Sequence, residues 1–276
     1  MRRFAYHEPA TLDEAVALAA APNAQILAGG TDLLVELKEQ LRRADCVVNI
    51  KKVAGLGGLR YDAGGLHIGA LATAREVEIS PIVLDKYRSL MQSVRELGSI
   101  QVRHRATIVG NICRASPSAD TIPPLIADGA TIRIRGAAGE RGVPLEDFFL
   151  GPGKTILAPG EVVIEILAPS PLPDTRKIYI KHGRRKAMEL ATVGVAVTHV
   201  PGGETRIVLG AVAPTPIRAR RAEELLRANR LTDELIAKAA QAAVAESRPI
   251  SNVRASAEYR REMVGVLTRR ALEQVR

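Results

Sequence analysis

The chain has 276 residues, enough for one large domain or two of ordinary size. Hydrophobic residues make up 46% and charged residues 25%, a composition that excludes extensive disorder; no stretch approaches the roughly 18 uninterrupted apolar residues of a membrane-spanning helix. The basic start, Met1–Phe4, is followed by Asp13 and Glu14 rather than by an apolar segment, so we expect a cytoplasmic protein without a secretory signal.

The cysteine and histidine content limits the redox chemistry of this chain. Cys46 and Cys113 are too few for a disulfide scaffold or for an iron–sulfur cluster, which needs about four thiolates. The five histidines show no helical ligand spacing, and no common metal motif is present. We therefore expect no metal site here, and an electron carrier on this chain would be organic.

The net charge of +9 raises the question of nucleic-acid binding. Aromatic residues reach only 3% and tryptophan is absent, so stacking platforms for bases are scarce. The arginines of segments 217–230 and 253–276 recur at helical spacing, which favours solvated helix faces or a contact with an acidic partner.

Residues 1–55 predict a compact unit of strand, turn, helix and strand. Thr11 can cap a helix over residues 11–20. The apolar run 25–28 predicts a buried strand that ends in a glycine pair, followed by a helix over 31–43 and a strand over 46–50.

Residues 56–172 continue this domain, and the proline-rich stretch Pro169–Pro173 is the predicted domain boundary. The elements expected before it are a strand at 66–68, helices at 74–79 and 82–97, an irregular polar segment over 99–122, and strands at 131–135 and 162–167.

Residues 173–276 predict a smaller α+β domain, in which a sheet is covered by helices. The expected elements are strands at 177–181, 193–200 and 206–212, a hairpin turn at 201–203, and helices at 219–228, 233–246 and 255–274.

The first candidate binding segment is the glycine pair Gly29-Gly30 with the residues around it. Two glycines allow a backbone to approach a ligand closely, and the following helix start offers N–H groups that attract phosphate. We assign Asp32 to capping this turn, because a carboxylate is an unusual neighbour for phosphate. The alternative is an ordinary tight turn between a strand and a helix.

The second candidate is the long polar segment 106–120. Thr107, Asn111 and Ser116 offer hydroxyl and amide groups, and Gly110 offers an open backbone. Asp120 could accept a hydrogen bond from a ribose or ribityl hydroxyl. The alternative is a capped helix start.

Two common nucleotide motifs fail on inspection. The run 153–155 lacks the earlier glycine of a P-loop, since Phe148 stands there. The glycines at 55–58 lack the third glycine of a dinucleotide fingerprint, since Arg60 stands there. A dinucleotide would therefore be held by another fold.

The ordered set of motifs resembles the FAD-binding subunits of molybdenum hydroxylases, such as carbon monoxide dehydrogenase medium subunits and xanthine dehydrogenase FAD subunits. The two candidate segments carry the resemblance, and Val109 departs from it where the family usually has a second glycine. Further similar stretches are 4–15, 68–70, 148–151, 157–166, 184–185 and 211–218.

The resemblance implies an α+β fold: a two-lobed FAD-binding domain of the vanillyl-alcohol-oxidase (PCMH) type over 1–172, with lobes of about 1–55 and 56–172, and a smaller C-terminal α+β domain of sheet plus helices over 173–276. No catalytic or metal-binding residue is implied. The residues implied to bind FAD are Leu27, Ala28, Gly29, Gly30, Thr31, Asp32, Leu33, Gly69, Thr73, Leu97, Ala106, Thr107, Gly110, Asn111, Ser116, Asp120, Val162 and Lys181.

By the same resemblance, FAD would receive electrons from [2Fe–2S] clusters of a small partner subunit and pass them to NAD or a quinone. A large molybdopterin subunit would complete a heterotrimer, paired into a dimer of heterotrimers, without nucleic acid and without a membrane span.

Two other hypotheses stay open at this point. One is a free-standing FAD-dependent oxidoreductase of the same fold that uses NAD(P)H directly. The other is a basic nucleic-acid-binding module, which predicts a colourless protein and binding that weakens steeply with salt.

Overall fold

The structure, a computed structural model, describes residues 2–276, so Met1 of the predicted first domain lies outside the described residues. The first lobe is built around a three-stranded parallel sheet in the order β1-β3-β2. Its elements are β1 (Ala5–His7), α1 (Leu12–Ala19), β2 (Ala24–Leu27), α2 (Leu33–Lys38) and β3 (Cys46–Asn49), followed by a 3₁₀ helix at Ile50–Lys52.

The predicted strands of this lobe are confirmed, and so is the first helix. Thr11 and Glu14 form a reciprocal capping box at the start of α1. The predicted helix over 31–43 was too long. The chain enters α2 through Gly30 at φ 79° and leaves it through Gln40 at φ 60°, and left-handed residues cannot continue a right-handed helix.

The second lobe contains a five-stranded antiparallel sheet in the order β4-β5-β10-β6-β7. The strand that comes last in the sequence of this lobe lies in the centre of the sheet. The C-terminal segment of the lobe therefore completes the sheet. Its elements are β4 (Leu59–Asp62), β5 (Gly65–Gly69), α3 (Ala74–Ile79), α4 (Pro81–Lys86), α5 (Arg88–Arg95), α6 (Ile100–Arg103), α7 (Ile108–Cys113), α8 (Ile122–Ala127), β6 (Thr131–Gly136), β7 (Gly139–Pro144), a 3₁₀ helix at Leu145–Asp147, β8 (Phe149–Gly151), β9 (Lys154–Thr155) and β10 (Val162–Pro169).

Two predictions for this lobe were wrong. The helix expected over 82–97 is divided into α4 and α5 at Tyr87, whose φ and ψ are −126° and 49° and whose side chain is fully buried. The segment 99–122, expected to be mostly irregular, contains two short helices that were not predicted, α6 and α7. Ser99 and Thr107 act there as N-caps, so hydroxyl residues that suggested loops mark helix starts instead.

The C-terminal domain is a four-stranded antiparallel sheet, β11-β12-β13-β14, followed by three helices. The sequence predicted the three helices and the first three strands, but not the two-residue β14. Among the described residues, no helix combines the length and apolar character that crossing a membrane requires. The elements of the C-terminal domain are β11 (Arg176–His182), β12 (Val193–His199), β13 (Thr205–Gly210), β14 (Ile217–Arg218), α9 (Arg220–Leu226), α10 (Asp233–Glu246) and α11 (Ala257–Val275).

The C-terminal sheet is buried on both faces and joins the two domains. Alternate residues of a strand point to opposite faces. Accordingly, Ile178 and Val195 pack in the core under α9–α11, whereas Tyr179 and Ala196 pack in the core of the N-terminal domain. The buried Lys177–Asp128 ion pair, 2.7 Å long, fixes the same interface at the end of α8.

Tyr87 links three elements of the second lobe. Its hydroxyl accepts a hydrogen bond from the Leu66 N–H at 3.2 Å and lies 3.0 Å from the carbonyl oxygen of Ala168, to which it can donate. Tyr87→Phe removes both of these buried hydrogen bonds, so we expect it to lower the free energy of unfolding by about 1–3 kcal/mol. The control Tyr61→Phe removes a half-exposed hydroxyl and should change it by less than about 0.5 kcal/mol. Urea unfolding of both variants measures this difference, and equal unfolding curves would contradict it.

Candidate functional site

Two glycine-containing segments from different lobes meet beyond the end of β2. A Cβ atom on Gly29 would lie 2.1 Å from the carbonyl oxygen of Arg105 and 2.9 Å from the Cα atom of Ala106. The two backbones are thus in direct contact, and no side chain fits between them. Glycine at position 29 is required by this contact between the segments, whereas the sequence suggested that it makes room for a ligand.

Gly30 has a different role in the same segment. Its φ of 79° is a left-handed conformation that favours glycine, and it turns the chain from β2 into α2. The Leu34 N–H donates to the Gly30 carbonyl oxygen at 3.1 Å, which starts the helix. The Asp32 side chain makes no capping hydrogen bond, so the predicted capping role of Asp32 was wrong.

The second segment is held by the cap of α7. Thr107 Oγ1 accepts the Gly110 N–H at 3.0 Å, and a Cβ atom at position 110 would lie only 2.7 Å from that oxygen. Glycine is therefore needed at position 110. Val109 stands in the first turn of α7 with its side chain buried, so the helix accommodates it. The Ile108 N–H also donates to the Ala72 carbonyl oxygen, which ties α7 to the β5–α3 connection.

A cavity of about 370 Å³ lies between the two segments, within the range of about 300–1,000 Å³ found for small-molecule sites. Both lobes contribute to it, and the C-terminal domain adds Leu190. The sequence-predicted residues that line it are Ala28, Gly29, Gly30, Thr31, Asp32, Leu33, Leu97, Ala106, Thr107, Gly110, Asn111 and Val162.

The remaining predicted residues are not part of this lining. Thr73 caps α3 together with Glu76, and Ser116 Oγ accepts the Ser118 N–H at 3.3 Å. Gly69 packs against the backbone of Leu56, whose carbonyl oxygen would lie 2.5 Å from a Cβ atom there. The full set outside the lining is Leu27, Gly69, Thr73, Ser116, Asp120 and Lys181.

Asp120 and Lys181 form a buried ion pair beside the cavity. One carboxylate oxygen of Asp120 accepts from the Tyr179 hydroxyl at 2.7 Å, and the other accepts from Lys181 Nζ at 2.9 Å. Burial raises the pKa of the Asp120 carboxyl to about 6, an effect that Lys181 and Tyr179 partly offset. Both oxygens that were expected to face a sugar hydroxyl are thus engaged by protein groups.

The cavity wall offers a row of free backbone donors. Within residues 2–276, the N–H groups of Gly29, Gly30, Thr31 and Asp32 donate to no protein acceptor. Adjacent N–H groups at a turn that have no protein acceptor are suited to bind an anion. The geometry of this segment therefore fits a phosphate or diphosphate group.

Four charged side chains lie near these donors. Glu36 is bound by two arginines, Arg42 at 2.6 Å and Arg114 at 2.6 Å, so this group carries one net positive charge. Asp32 makes no hydrogen bond or ion pair through its carboxylate in the described part of the chain. Burial raises the pKa of Asp32, and Arg114 opposes this shift.

Comparison with known families identifies the cofactor of this chain. The model of the FAD-binding domain in molybdopterin dehydrogenases matches residues 2–171, and that of the CO dehydrogenase flavoprotein C-terminal domain matches residues 178–275. The chain belongs to the FAD-binding subunits of the molybdenum hydroxylase family. The resemblance seen in the sequence and the predicted two-domain fold are thereby confirmed, and the cofactor is FAD.

Similar proteins cover essentially the whole chain. The carbon monoxide dehydrogenase medium chain of Hydrogenophaga pseudoflava is 35% identical, covering 98% of this chain and 96% of the relative. The glyceraldehyde dehydrogenase medium chain of Sulfolobus acidocaldarius is 33% identical, covering 99% and 98%. The solved carbon monoxide dehydrogenase from H. pseudoflava superposes with a TM-score of 0.95 at 35% identity over 99% of this chain and 97% of that chain. Quinoline 2-oxidoreductase from Pseudomonas putida 86 superposes with a TM-score of 0.92 at 30% identity over 99% and 97%.

The residues present fit FAD. The free N–H groups of residues 29–32 suit its diphosphate, and apolar side chains such as Leu97, Val102 and Leu157 suit an aromatic ring system. Burial raises the pKa of the Cys113 thiol, which also lines the cavity, to about 12, so this cysteine lacks the thiolate that a nucleophile needs.

Sequence reasoning missed several residues of the cavity. Asp32 and Glu36 are four residues apart, a spacing that places them on one face of a helix and could have indicated Glu36. Arg42 and Arg114 carry no such signal, because only the tertiary fold brings both guanidinium groups to Glu36. Leu190 comes from the C-terminal domain, so no sequence signal indicated that it lines the cavity.

The contact between the two segments can be tested with one methyl group. Gly29→Ala places a Cβ atom against the Arg105 carbonyl oxygen and must separate the segments, so we expect FAD to dissociate at least about tenfold more readily. Gly57→Ala is the control, because nothing lies within 4 Å of its Cβ position and its φ is not left-handed. Flavin absorbance after gel filtration measures retention. Equal FAD content in Gly29→Ala and Gly57→Ala would show that the segments need not touch.

Proposed function

We propose that this FAD-binding subunit relays electrons between a [2Fe–2S] iron–sulfur partner and a terminal acceptor. The observation that carries the proposal is the cavity itself, which joins free backbone donors to an apolar lining and presents no acid–base pair or nucleophile. Nor does the part of the chain that the structure describes contain a group of three or more residues able to hold a metal. The metal centres of such an enzyme would then belong to other chains.

FAD supplies the ability to exchange electrons singly with a metal cluster and in pairs with an organic acceptor. The protein's part is to bind and shield it. The N–H groups of residues 29–32 bind the diphosphate, the Arg42–Glu36–Arg114 group adds positive charge, and the leucine side chains exclude water from the cavity.

The partners proposed are a small [2Fe–2S] subunit and a large molybdopterin subunit, assembled as a dimer of heterotrimers. The names of the relatives support this proposal, since two of those described above are called medium chains. NAD and a quinone are both candidate acceptors. Two free cysteines without a disulfide agree with a cytoplasmic site of action, where thiols stay reduced.

The composition of the native complex tests this proposal. We expect the affinity-tagged chain, purified from its own organism, to bring down two further subunits with about four iron atoms per FAD, the content of two [2Fe–2S] clusters, together with molybdenum. Under anaerobic conditions, NADH or a reduced quinone should bleach the flavin and produce the electron paramagnetic resonance signal of reduced clusters.

The competing function gives a different result. If the chain purified alone, without iron, and oxidised NAD(P)H at the full rate of the cell extract, it would be a free-standing flavin oxidoreductase. The relay function would then be rejected, although the FAD cavity would remain.

A further inference from the structure

The ammonium group of Lys181 is fully engaged inside the protein. Its side chain is only 6% exposed, and Nζ donates to Asp120 Oδ2 at 2.9 Å, to the Glu96 carbonyl oxygen at 3.0 Å and to the Glu189 carbonyl oxygen at 2.7 Å. A lysine ammonium has three donors, so these acceptors use all of them. The group therefore has no donor left for a ligand.

The two carbonyl acceptors share one feature. Glu96 directly precedes Leu97, and Glu189 directly precedes Leu190; both leucines line the cavity. Leu97 belongs to the FAD-binding domain and Leu190 to the C-terminal domain. One ammonium group thus holds together two parts of the cavity wall that come from different domains.

Asp120 and Tyr179 fix the position of this ammonium group. Asp120 is 6% exposed and balances the charge of Lys181, while Tyr179 donates to the other carboxylate oxygen. Tyr179 and Lys181 are two residues apart on β11, so their side chains share the face that meets the FAD-binding domain. The arrangement is rigid because every polar atom in it is paired.

We propose that Lys181 is a positioning residue, which holds Leu97 and Leu190 in place as the apolar wall that receives the uncharged ring system of FAD. The inference rests on the proposal that the cavity between residues 29–32 and 106–111 is the FAD site. The polar donors of that site lie in the first segment, whereas Leu97 and Leu190 offer only apolar surface. Lys181 and Asp120 then act on FAD through the leucines rather than by the direct contacts that the sequence resemblance implied.

The chain contains a matched control for this proposal. Lys177 and Asp128 form a second buried ion pair between the same strand and the other end of α8, with side chains 5% and 0% exposed. Four residues of a strand span about 13 Å and the eight residues from Asp120 to Asp128 span about 12 Å if helical, which explains why both pairs form. Neither Lys177 nor Asp128 lines the FAD cavity.

The test compares Lys181→Met with Lys177→Met in the full-length chain. Each variant removes one buried ammonium group and leaves one buried carboxylate, so both should unfold at lower urea concentration than the wild type. Only Lys181→Met should release the leucine wall. We expect its dissociation constant for FAD to rise at least about tenfold, with a shifted flavin absorption band and increased flavin fluorescence, while Lys177→Met keeps the wild-type spectrum.

A third variant keeps the test decisive if Lys181→Met does not fold. Leu190 is 45% exposed, so Leu190→Ala should cost little stability and still shorten the wall. We expect Leu190→Ala to shift the flavin spectrum in the same direction as Lys181→Met. Subunit composition of the complex should be unchanged, which separates this test from that of the relay function.

Three results would overturn the proposal: equal losses of FAD affinity in Lys181→Met and Lys177→Met, wild-type FAD binding in Lys181→Met, or a wild-type flavin spectrum and affinity in Leu190→Ala. The first of these results would show that both ion pairs affect FAD binding only through the stability of the fold. If Gly29→Ala instead had the same flavin spectrum and FAD content as the wild type, the placement of FAD in this cavity would be rejected.

Discussion

The backbone contact between Gly29 and Arg105–Ala106 is the constraint on which the site depends. It joins the first lobe to the second at a point where a single methyl group would not fit. Because the two segments meet there, residues 29–32 and the first residues of α7 line the same cavity. The cavity that we propose for FAD is thus a consequence of how the lobes pack.

The electrostatics of the cavity follow from the same packing. Glu36 would be a poor neighbour for a diphosphate by itself, but Arg42, six residues further along, and Arg114, from the second lobe, bind it and make this group of three net positive. Such a site can bind and orient an anionic cofactor that carries the redox chemistry itself. This agrees with a subunit whose chemistry resides in its cofactor.

Much of the fold could be predicted because local signals and tertiary structure agree. The capping box of α1, the glycine pair after β2 and the hairpin between β12 and β13 each have a sequence signature with a physical cause. The failures share a cause as well. Tyr87 breaks a helix because its hydroxyl finds buried backbone partners in β5 and β10, and no local pattern reports those partners. The short helices α6 and α7 are stabilised by caps and packing rather than by a long apolar face.

The site was predictable to the extent that it is made of backbone. The glycines of the two segments do meet at the cavity, although the steric reason for Gly29 was different from the one inferred. Arg114 and Leu190 reach the cavity only through tertiary packing, and Leu190 does so through the contact between domains. A sequence pattern cannot show such neighbours, because they are distant in the chain.

The most direct measurement is hydrogen–deuterium exchange of the chain with and without FAD. The N–H groups of residues 29–32 have no acceptor in the protein, so they should exchange rapidly in the FAD-free chain and be protected at least about tenfold when the cofactor is bound. The glycine turn at 55–58, which is open and outside the cavity, should not change. Unchanged exchange at 29–32 on FAD binding would contradict the assignment of these amides to the diphosphate.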